Sequence, residues 1–149
     1  MKRIIVLISV LFFFACSKDD SSPTIPESFR DGDKIYFDSD KTSNGYASWV
    51  GPWFYVKGFT SNQWWHGDNP VEVSDKVSRG SYTYELIDSK TAVLYSTNYQ
   101  ATSGRSWTIY TNMIYETPRT GRYKSTITHN GLQQEVEGTF TIYLYEENQ

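Results

Sequence analysis

The chain has 149 residues and a formal net charge of −3 at pH 7, with 14 Lys and Arg against 17 Asp and Glu. Phosphate binding needs clustered basic side chains, so this balance argues against a nucleic-acid partner. A single cysteine also excludes an internal disulfide and a metal site built from several thiolates.

The N-terminus carries a basic and then apolar pattern that predicts export. Lys2 and Arg3 precede an apolar run over residues 4–14 that is interrupted only by Ser9, and Ala15 is a small residue directly before Cys16. A permanent membrane span needs about 20 apolar residues, so the run indicates a secretory signal instead. We expect signal cleavage to leave Cys16 as a lipidated N-terminus.

Two short motifs around this cysteine resemble known lipoprotein signals. Phe13-Phe14-Ala15-Cys16 resembles a bacterial lipobox, and the residues that follow, Ser-Lys-Asp-Asp, resemble the start of mature lipoproteins in the Bacteroidota. In those lipoproteins, Lys followed by acidic residues is associated with display on the outer surface. The resemblance therefore implies an outer-membrane, cell-surface protein whose contact with the membrane is the lipid on Cys16.

The sequence divides into three expected segments. Residues 1–15 are the lipoprotein signal peptide, 16–28 are a lipidated flexible tether, and 29–149 are a single β-domain. The tether consists largely of Ser, Asp, Pro and Thr, and Pro23 and Pro26 disfavour helix. The third segment is long enough for one domain with a working core.

The first part of this domain predicts short strands. Over residues 34–38, Ile35 and Phe37 share one face, as they would in a strand. In the aromatic stretch 46–59, an internal proline rules out one continuous central strand because proline lacks the N–H donor. That stretch should form two strands around a bend, or lie at an edge position.

Gly51-Pro52-Trp53 resembles the Gly-x-Trp signature in the first strand of lipocalins. The resemblance implies a lipocalin-like, up-and-down barrel. Aromatic side chains, which make up 17% of the residues, independently favour a half-buried pleated sheet.

In the second part of the domain, apolar and polar residues alternate regularly. Residues 82–87 and 91–97 read as a strand pair, and the next strand places five side chains on one face: Trp107, Ile109, Thr111, Met113 and Tyr115. Asn130-Gly131 lies between two alternating runs and predicts a hairpin, because a type I′ turn requires positive φ at both central positions.

The strand after this hairpin should bury one face and expose the other. We expect Val136, Phe140, Ile142 and Leu144 in the core, with Glu135, Glu137 and Thr141 facing away. A strand this long must bend over a compact core, and Gly138 is the expected place for a bend or bulge.

About eight strands with short connections, and no convincing helical period after residue 16, predict an all-β fold. The two architectures that fit are an antiparallel meander closed into a barrel and a β-sandwich.

Candidate ligand-binding residues are Trp49, Trp53, Trp64, Trp65 and His66. Aromatic faces can stack on a sugar or enclose an apolar molecule. Neighbouring residues in a strand face opposite ways, so one of the adjacent tryptophans can be buried, whereas a loop could present both. Core packing and ligand recognition therefore both remain open for this pair.

Signals for catalysis are few. His66 and His129 are the two histidines, and no Gly-x-Ser-x-Gly elbow, paired metal-binding histidines or Gly-rich phosphate loop accompanies them. Asp38 and Asp40 do not follow the spacing of an EF-hand calcium loop. We expect no enzyme activity, no metal and no cofactor.

Two functional hypotheses follow. The first is a membrane-anchored, non-catalytic binding module for a glycan or a small apolar ligand. The second is a structural or accessory protein-interaction subunit of an outer-membrane assembly. The number of tryptophans exposed together at one mouth or face distinguishes them.

Overall fold

The computed structural model describes residues 24–39, 51–65 and 78–145. Eight strands lie in these ranges: β1 (Lys34–Ser39), β2 (Trp53–Val56), β3 (Ser61–Trp65), β4 (Ser78–Leu86), β5 (Thr91–Gln100), β6 (Arg105–Tyr115), β7 (Thr120–His129) and β8 (Leu132–Tyr143). Each pairs antiparallel with the next, and β8 pairs with β1 to close a barrel. The predicted all-β, up-and-down barrel is confirmed, and the sandwich alternative is wrong.

The alternation of apolar and polar residues determines which side chains enter the barrel. All five residues predicted to share a face of β6 are buried. In β8, Val136, Phe140 and Ile142 are buried while Glu135 and Glu137 are exposed, as predicted. The core is the barrel interior itself.

The Asn130-Gly131 turn has the predicted conformation. Asn130 has φ of 50° and Gly131 has φ of 78°, so both central residues lie in the left-handed region. The paired register of β7 and β8 continues from His129 opposite Leu132 to Thr120 opposite Thr141 without an extra residue.

The bulge expected at Gly138 does not form. Gly138 pairs with Ser39 on one side and Tyr123 on the other, in unbroken register. A Cβ atom at this position would lie 1.9 Å from the carbonyl oxygen of Asp38. The glycine is needed because the backbone of β1 approaches too closely for any side chain.

The barrel has two distinct ends. At the Asn130 end, β1, β3, β5 and β7 finish and β2, β4, β6 and β8 begin. At the opposite end, which we call the Phe29 end, lie the connections 57–60, 87–90 and 116–119 and the segment that precedes β1.

The segment before β1 closes the Phe29 end. Ile25 and Phe29 are buried in the core cluster, and the Phe29 ring lies 4.6 Å from that of Tyr84. Asp33 fixes the segment, because its carboxylate accepts hydrogen bonds from the backbone N–H groups of Arg30 and Tyr145, both at 2.7 Å. The packed domain therefore includes Ile25 and begins earlier than residue 29, where the sequence placed its boundary.

The outer face of the barrel is mainly polar. Lys124 and Glu135 form an exposed ion pair at 2.9 Å between β7 and β8. No helix capable of crossing a bilayer occurs in the described ranges.

Candidate functional site

A partly enclosed cavity of about 240 Å³ lies inside the barrel toward the Asn130 end. Its apolar wall is formed by lumen-facing residues of β1, β3, β6, β7 and β8: Phe37, Trp64, Ile109, Tyr123, Ile127 and Val136. Asp38, Ser39, Gly51 and Pro52 line it where β1 ends and β2 begins. The cavity therefore belongs to the end of the barrel opposite Phe29.

Aromatic contacts hold the cavity wall in place. The Phe37 ring lies 5.4 Å from Trp64 and 4.9 Å from Tyr123, the latter edge to face. Behind Trp64, the Phe54 ring packs edge to face at 5.2 Å. Such contacts fix ring orientations, so the wall is shaped before any ligand arrives.

Two hydrogen bonds satisfy polar groups in or beside this wall. The Trp64 indole N–H donates to Ser96 Oγ at 3.2 Å, and the hydroxyls of Thr111 and Ser125 lie 2.7 Å apart. Because these groups are already paired, the cavity presents mainly apolar surface.

A second set of lumen residues, the polar patch, consists of Asn62, Ser78, Asn98 and Trp107. All four are buried, with 1%, 1%, 3% and 2% of their surface exposed respectively. The Asn62 and Asn98 amides contact each other at 3.4 Å. One polar atom of each residue has no hydrogen-bond partner among the described groups: Asn62 Oδ1, Ser78 Oγ, Asn98 Nδ2 and Trp107 Nε1.

The predicted tryptophan group separates into two locations. Trp64 faces the lumen and is 4% exposed, whereas its neighbour Trp65 faces outward and is half-buried. Trp53 also faces outward and lies opposite Trp65 in the β2–β3 pair. Trp49 and His66, and the lipidation residue Cys16, lie outside the described residues.

Trp53 belongs to an outer aromatic cluster instead of the cavity. Its ring lies 4.8 Å from Tyr36, 6.0 Å from Tyr55 and 5.6 Å from Tyr143. The Lys34 ammonium is 5.5 Å from the centre of the Tyr55 ring. Tyr55 is buried, whereas Trp53, Tyr36 and Tyr143 are partly or largely exposed. A sugar could stack on these three rings.

Sequence reasoning did not single out Phe37, Ile109 or Tyr123 as site residues. Alternation correctly placed the first two on apolar faces, but an apolar face is the same signal for a filled core and for a cavity wall. The space between these side chains becomes apparent only when the eight strands are paired into a closed barrel.

Two buried tyrosines with shifted pKa values, Tyr82 and Tyr115, do not line the cavity. Burial raises the pKa of Tyr115, and the charge and hydrogen bond of Tyr84 add to this effect. Burial likewise raises the pKa of Tyr82, with a smaller contribution from the Asp33 charge. Within the described ranges, no three His, Cys, Asp or Glu side chains are grouped closely enough to hold a metal ion.

A larger groove of about 510 Å³ lies along β4, β5 and β6 near the Asn130 end. It is lined by outward residues such as Ser81, Thr97 and Thr108, and also by Asn98 and Trp107. This groove is more open to solvent than the lumen cavity. Small-molecule sites enclose most of the surface of their ligand, which favours the lumen cavity as the candidate site.

Comparison with known proteins gives no relative from which to assign this cavity. No protein-family model, no curated protein and no solved structure matches the chain.

Proposed function

We propose that this protein is a lipid-anchored, non-catalytic binding module that takes a small, largely apolar ligand into the barrel lumen. The observation that carries the proposal is the cavity between Phe37, Trp64, Tyr123 and Val136. Burial of an apolar molecule there removes both its surface and the cavity wall from water, which is the main driving force for such binding.

The volume of the cavity limits the size of the ligand. A cavity of about 150 Å³ accommodates benzene, and this one has about 240 Å³. A molecule with one or two fused rings, or a short branched chain, fits this space. A long acyl chain does not fit within it.

The expected lipid on Cys16 agrees with the position of the cavity. The chain enters the barrel at the Phe29 end, where Ile25 is packed. Residues 17–24 span at most roughly 30 Å when extended. An outer-membrane anchor at Cys16 then holds the Phe29 end toward the lipid and leaves the Asn130 end toward the medium.

A titration with naphthalene tests ligand binding. We expect the wild-type protein to bind naphthalene and Val136→Phe to lose binding, because the larger ring occupies the cavity. Glu137→Phe is the matched control, since residue 137 is exposed on the same strand. Equal binding by Val136→Phe and wild type, with both proteins folded by circular dichroism, would show that naphthalene does not bind in the cavity.

A glycan is the second ligand class for the same binding-module role. The outer cluster around Trp53, Tyr36 and Tyr143 favours it because half-exposed rings can stack on sugar C–H groups. A glycan array with wild type and Trp53→Ala tests this. Loss of a glycan signal in Trp53→Ala, with naphthalene binding unchanged, would assign the sugar to the outer cluster.

An accessory subunit of an outer-membrane assembly is the second candidate function. Tyr95 and Tyr110 lie opposite each other on the outside of β5 and β6 and are 38% and 44% exposed. Tyrosine is enriched at protein interfaces. Loss of a co-purifying outer-membrane protein in the Tyr95→Ser, Tyr110→Ser double variant, with naphthalene binding retained, would favour this function.

A further inference from the structure

The polar patch differs chemically from the apolar cavity. Its four unpaired atoms comprise the acceptor Asn62 Oδ1, the donors Asn98 Nδ2 and Trp107 Nε1, and the hydroxyl of Ser78. Buried polar groups in folded proteins are almost always hydrogen-bonded, to protein, water or ligand. Four such atoms in one wall therefore indicate a place that is completed by a further polar molecule or group.

Strand register explains how these residues meet. Asn62 lies opposite Gly80, Gly80 opposite Asn98, and Asn98 opposite Trp107. Because Gly80 has no side chain, the amides of Asn62 and Asn98 reach each other across β4 at 3.4 Å. Any Cβ at Gly80 would collide with the carbonyl oxygen of Thr97, so this position between the two amides cannot carry a side chain.

The amide pair offers the same chemistry in either orientation. As placed, Asn62 donates to Asn98, which leaves an amide oxygen on one residue and an amide nitrogen on the other. Exchanging both amides reverses the roles but again leaves one donor and one acceptor. With the Trp107 N–H and the Ser78 hydroxyl, the patch can both donate to and accept from a ligand.

The buried lumen is also uncharged. The buried lumen-facing positions of the eight described strands carry no Lys, Arg, Asp or Glu. Asp33, the buried charged residue of the described chain, precedes β1 and is paired with two backbone N–H groups. An anionic ligand group would lose its hydration here without gaining a counter-charge.

Trp64 and Ile109 connect the patch to the cavity. Both line the cavity, while Trp64 lies opposite Ser78 and Ile109 follows Trp107 on the same face of β6. The polar patch therefore adjoins the cavity wall at these two side chains, while its own four residues do not line the cavity.

We propose that the lumen ligand is an uncharged amphiphile: an apolar body in the cavity with a hydroxyl or amide group bound by Asn98, Trp107 and Asn62. This inference rests on the proposed lumen-binding function and specifies the class of ligand. It distinguishes a neutral alcohol or amide from both a pure hydrocarbon and a carboxylate.

Three probes with one ring system test the proposal: naphthalene, 2-naphthol and 2-naphthoate. We expect 2-naphthol to bind the full-length mature protein about tenfold more tightly than naphthalene, because it pairs polar atoms that naphthalene leaves unpaired. We expect 2-naphthoate to bind more weakly than either. Equal affinities for 2-naphthol and naphthalene would overturn the proposal, as would preferential binding of 2-naphthoate.

Two substitutions locate the effect. Asn98→Leu and Trp107→Phe should each lower the affinity for 2-naphthol severalfold and leave that for naphthalene nearly unchanged. Asn112→Leu, on the exposed face of β6, is the matched control and should alter neither. If the 2-naphthol preference survives both lumen substitutions in folded protein, the polar patch is not its source.

These results separate the two proposals. Failure of naphthalene to bind wild-type protein, or its unchanged binding to Val136→Phe, contradicts lumen binding itself. Naphthalene binding that depends on Val136, with no higher affinity for 2-naphthol, contradicts only the amphiphile inference. Internal water would then be the partner of the polar patch.

Discussion

The indole N–H of Trp64 on β3 reaches across β4 to hydrogen-bond Ser96 Oγ on β5, over a distance of 3.2 Å. The same indole forms part of the cavity wall. One side chain thus joins three neighbouring strands and shapes the candidate site. Its position is fixed by a hydrogen bond as well as by packing.

Replacement of Trp64 should therefore affect stability far more than replacement of its neighbour. We expect Trp64→Ala to lower the free energy of unfolding by about 3 to 5 kcal/mol, as for other buried large aromatics. Trp65→Ala, at a half-buried outward position, should cost less than half as much. Denaturant unfolding of both variants measures the difference. Equal losses in the free energy of unfolding would contradict the inward orientation of Trp64 and the outward orientation of Trp65.

Gly138 should not tolerate a side chain. An alanine Cβ would lie 1.9 Å from the Asp38 carbonyl oxygen, so β1 and β8 would have to separate. We expect Gly138→Ala to lower the free energy of unfolding by at least about 2 kcal/mol. Thr139→Ala, exposed on the same strand, is the control. A Gly138→Ala protein as stable as this control would show that the strands are farther apart than described.

Alkaline pH should destabilise the barrel. Burial raises the pKa of Tyr115 in the folded protein, whereas tyrosine in an unfolded chain has a pKa of about 10. Above that pH the unfolded chain has released a proton that the folded protein retains, so the free energy of unfolding falls as pH rises. Below it, Tyr115 contributes no pH dependence.

The size of this effect is bounded. Tyr115 alone can contribute a slope of at most about 1.4 kcal/mol per pH unit above pH 10. Tyr115→Phe should reduce the measured slope, while Tyr99→Phe, at an exposed position, should leave it almost unchanged. Unfolding measured from pH 8 to 11 checks this, and identical slopes in all three proteins would exclude Tyr115 as a source.

Lipidation is tested independently of the barrel. We expect Cys16→Ala to leave the membrane fraction, because the acyl attachment atom is removed. Ser17→Ala is the control and should remain membrane-bound. A Cys16→Ala protein that stays equally tightly bound would contradict the lipoprotein assignment.

The sequence specified most of the fold because period-two alternation and one strong turn signal are local. Trp107 through Tyr115 and the Asn130-Gly131 hairpin were placed correctly for this reason. The start of β2 at Trp53 agrees with the boundary expected from the missing proline donor, and the strand expected before Gly51 lies outside the described residues. The bulge expected at Gly138 was wrong, because the close neighbour that requires a glycine there, Asp38, is a hundred positions away in the chain.

The candidate site was less accessible to sequence reasoning. The sequence grouped Trp64 with Trp53, but the two side chains lie on opposite faces of the barrel wall, since inward or outward facing depends on where each strand begins. Closure of β8 onto β1 brings Phe37 beside Tyr123, and no local pattern encodes that contact. The contact between the Asn62 and Asn98 amides, which leaves one polar atom of each without a partner, likewise appears only when β3, β4 and β5 are in register.

Methyl NMR during a naphthalene titration tests the central claim most directly. A ring bound in the lumen shifts the methyl signals of Val136, Ile109 and Ile127, which line the cavity, through its ring current. The exposed Ile114 on the outside of β6 serves as the internal reference and should not move. Shifts at Ile114 without shifts at Val136, or no saturable shift at any cavity methyl, would contradict ligand binding inside the barrel.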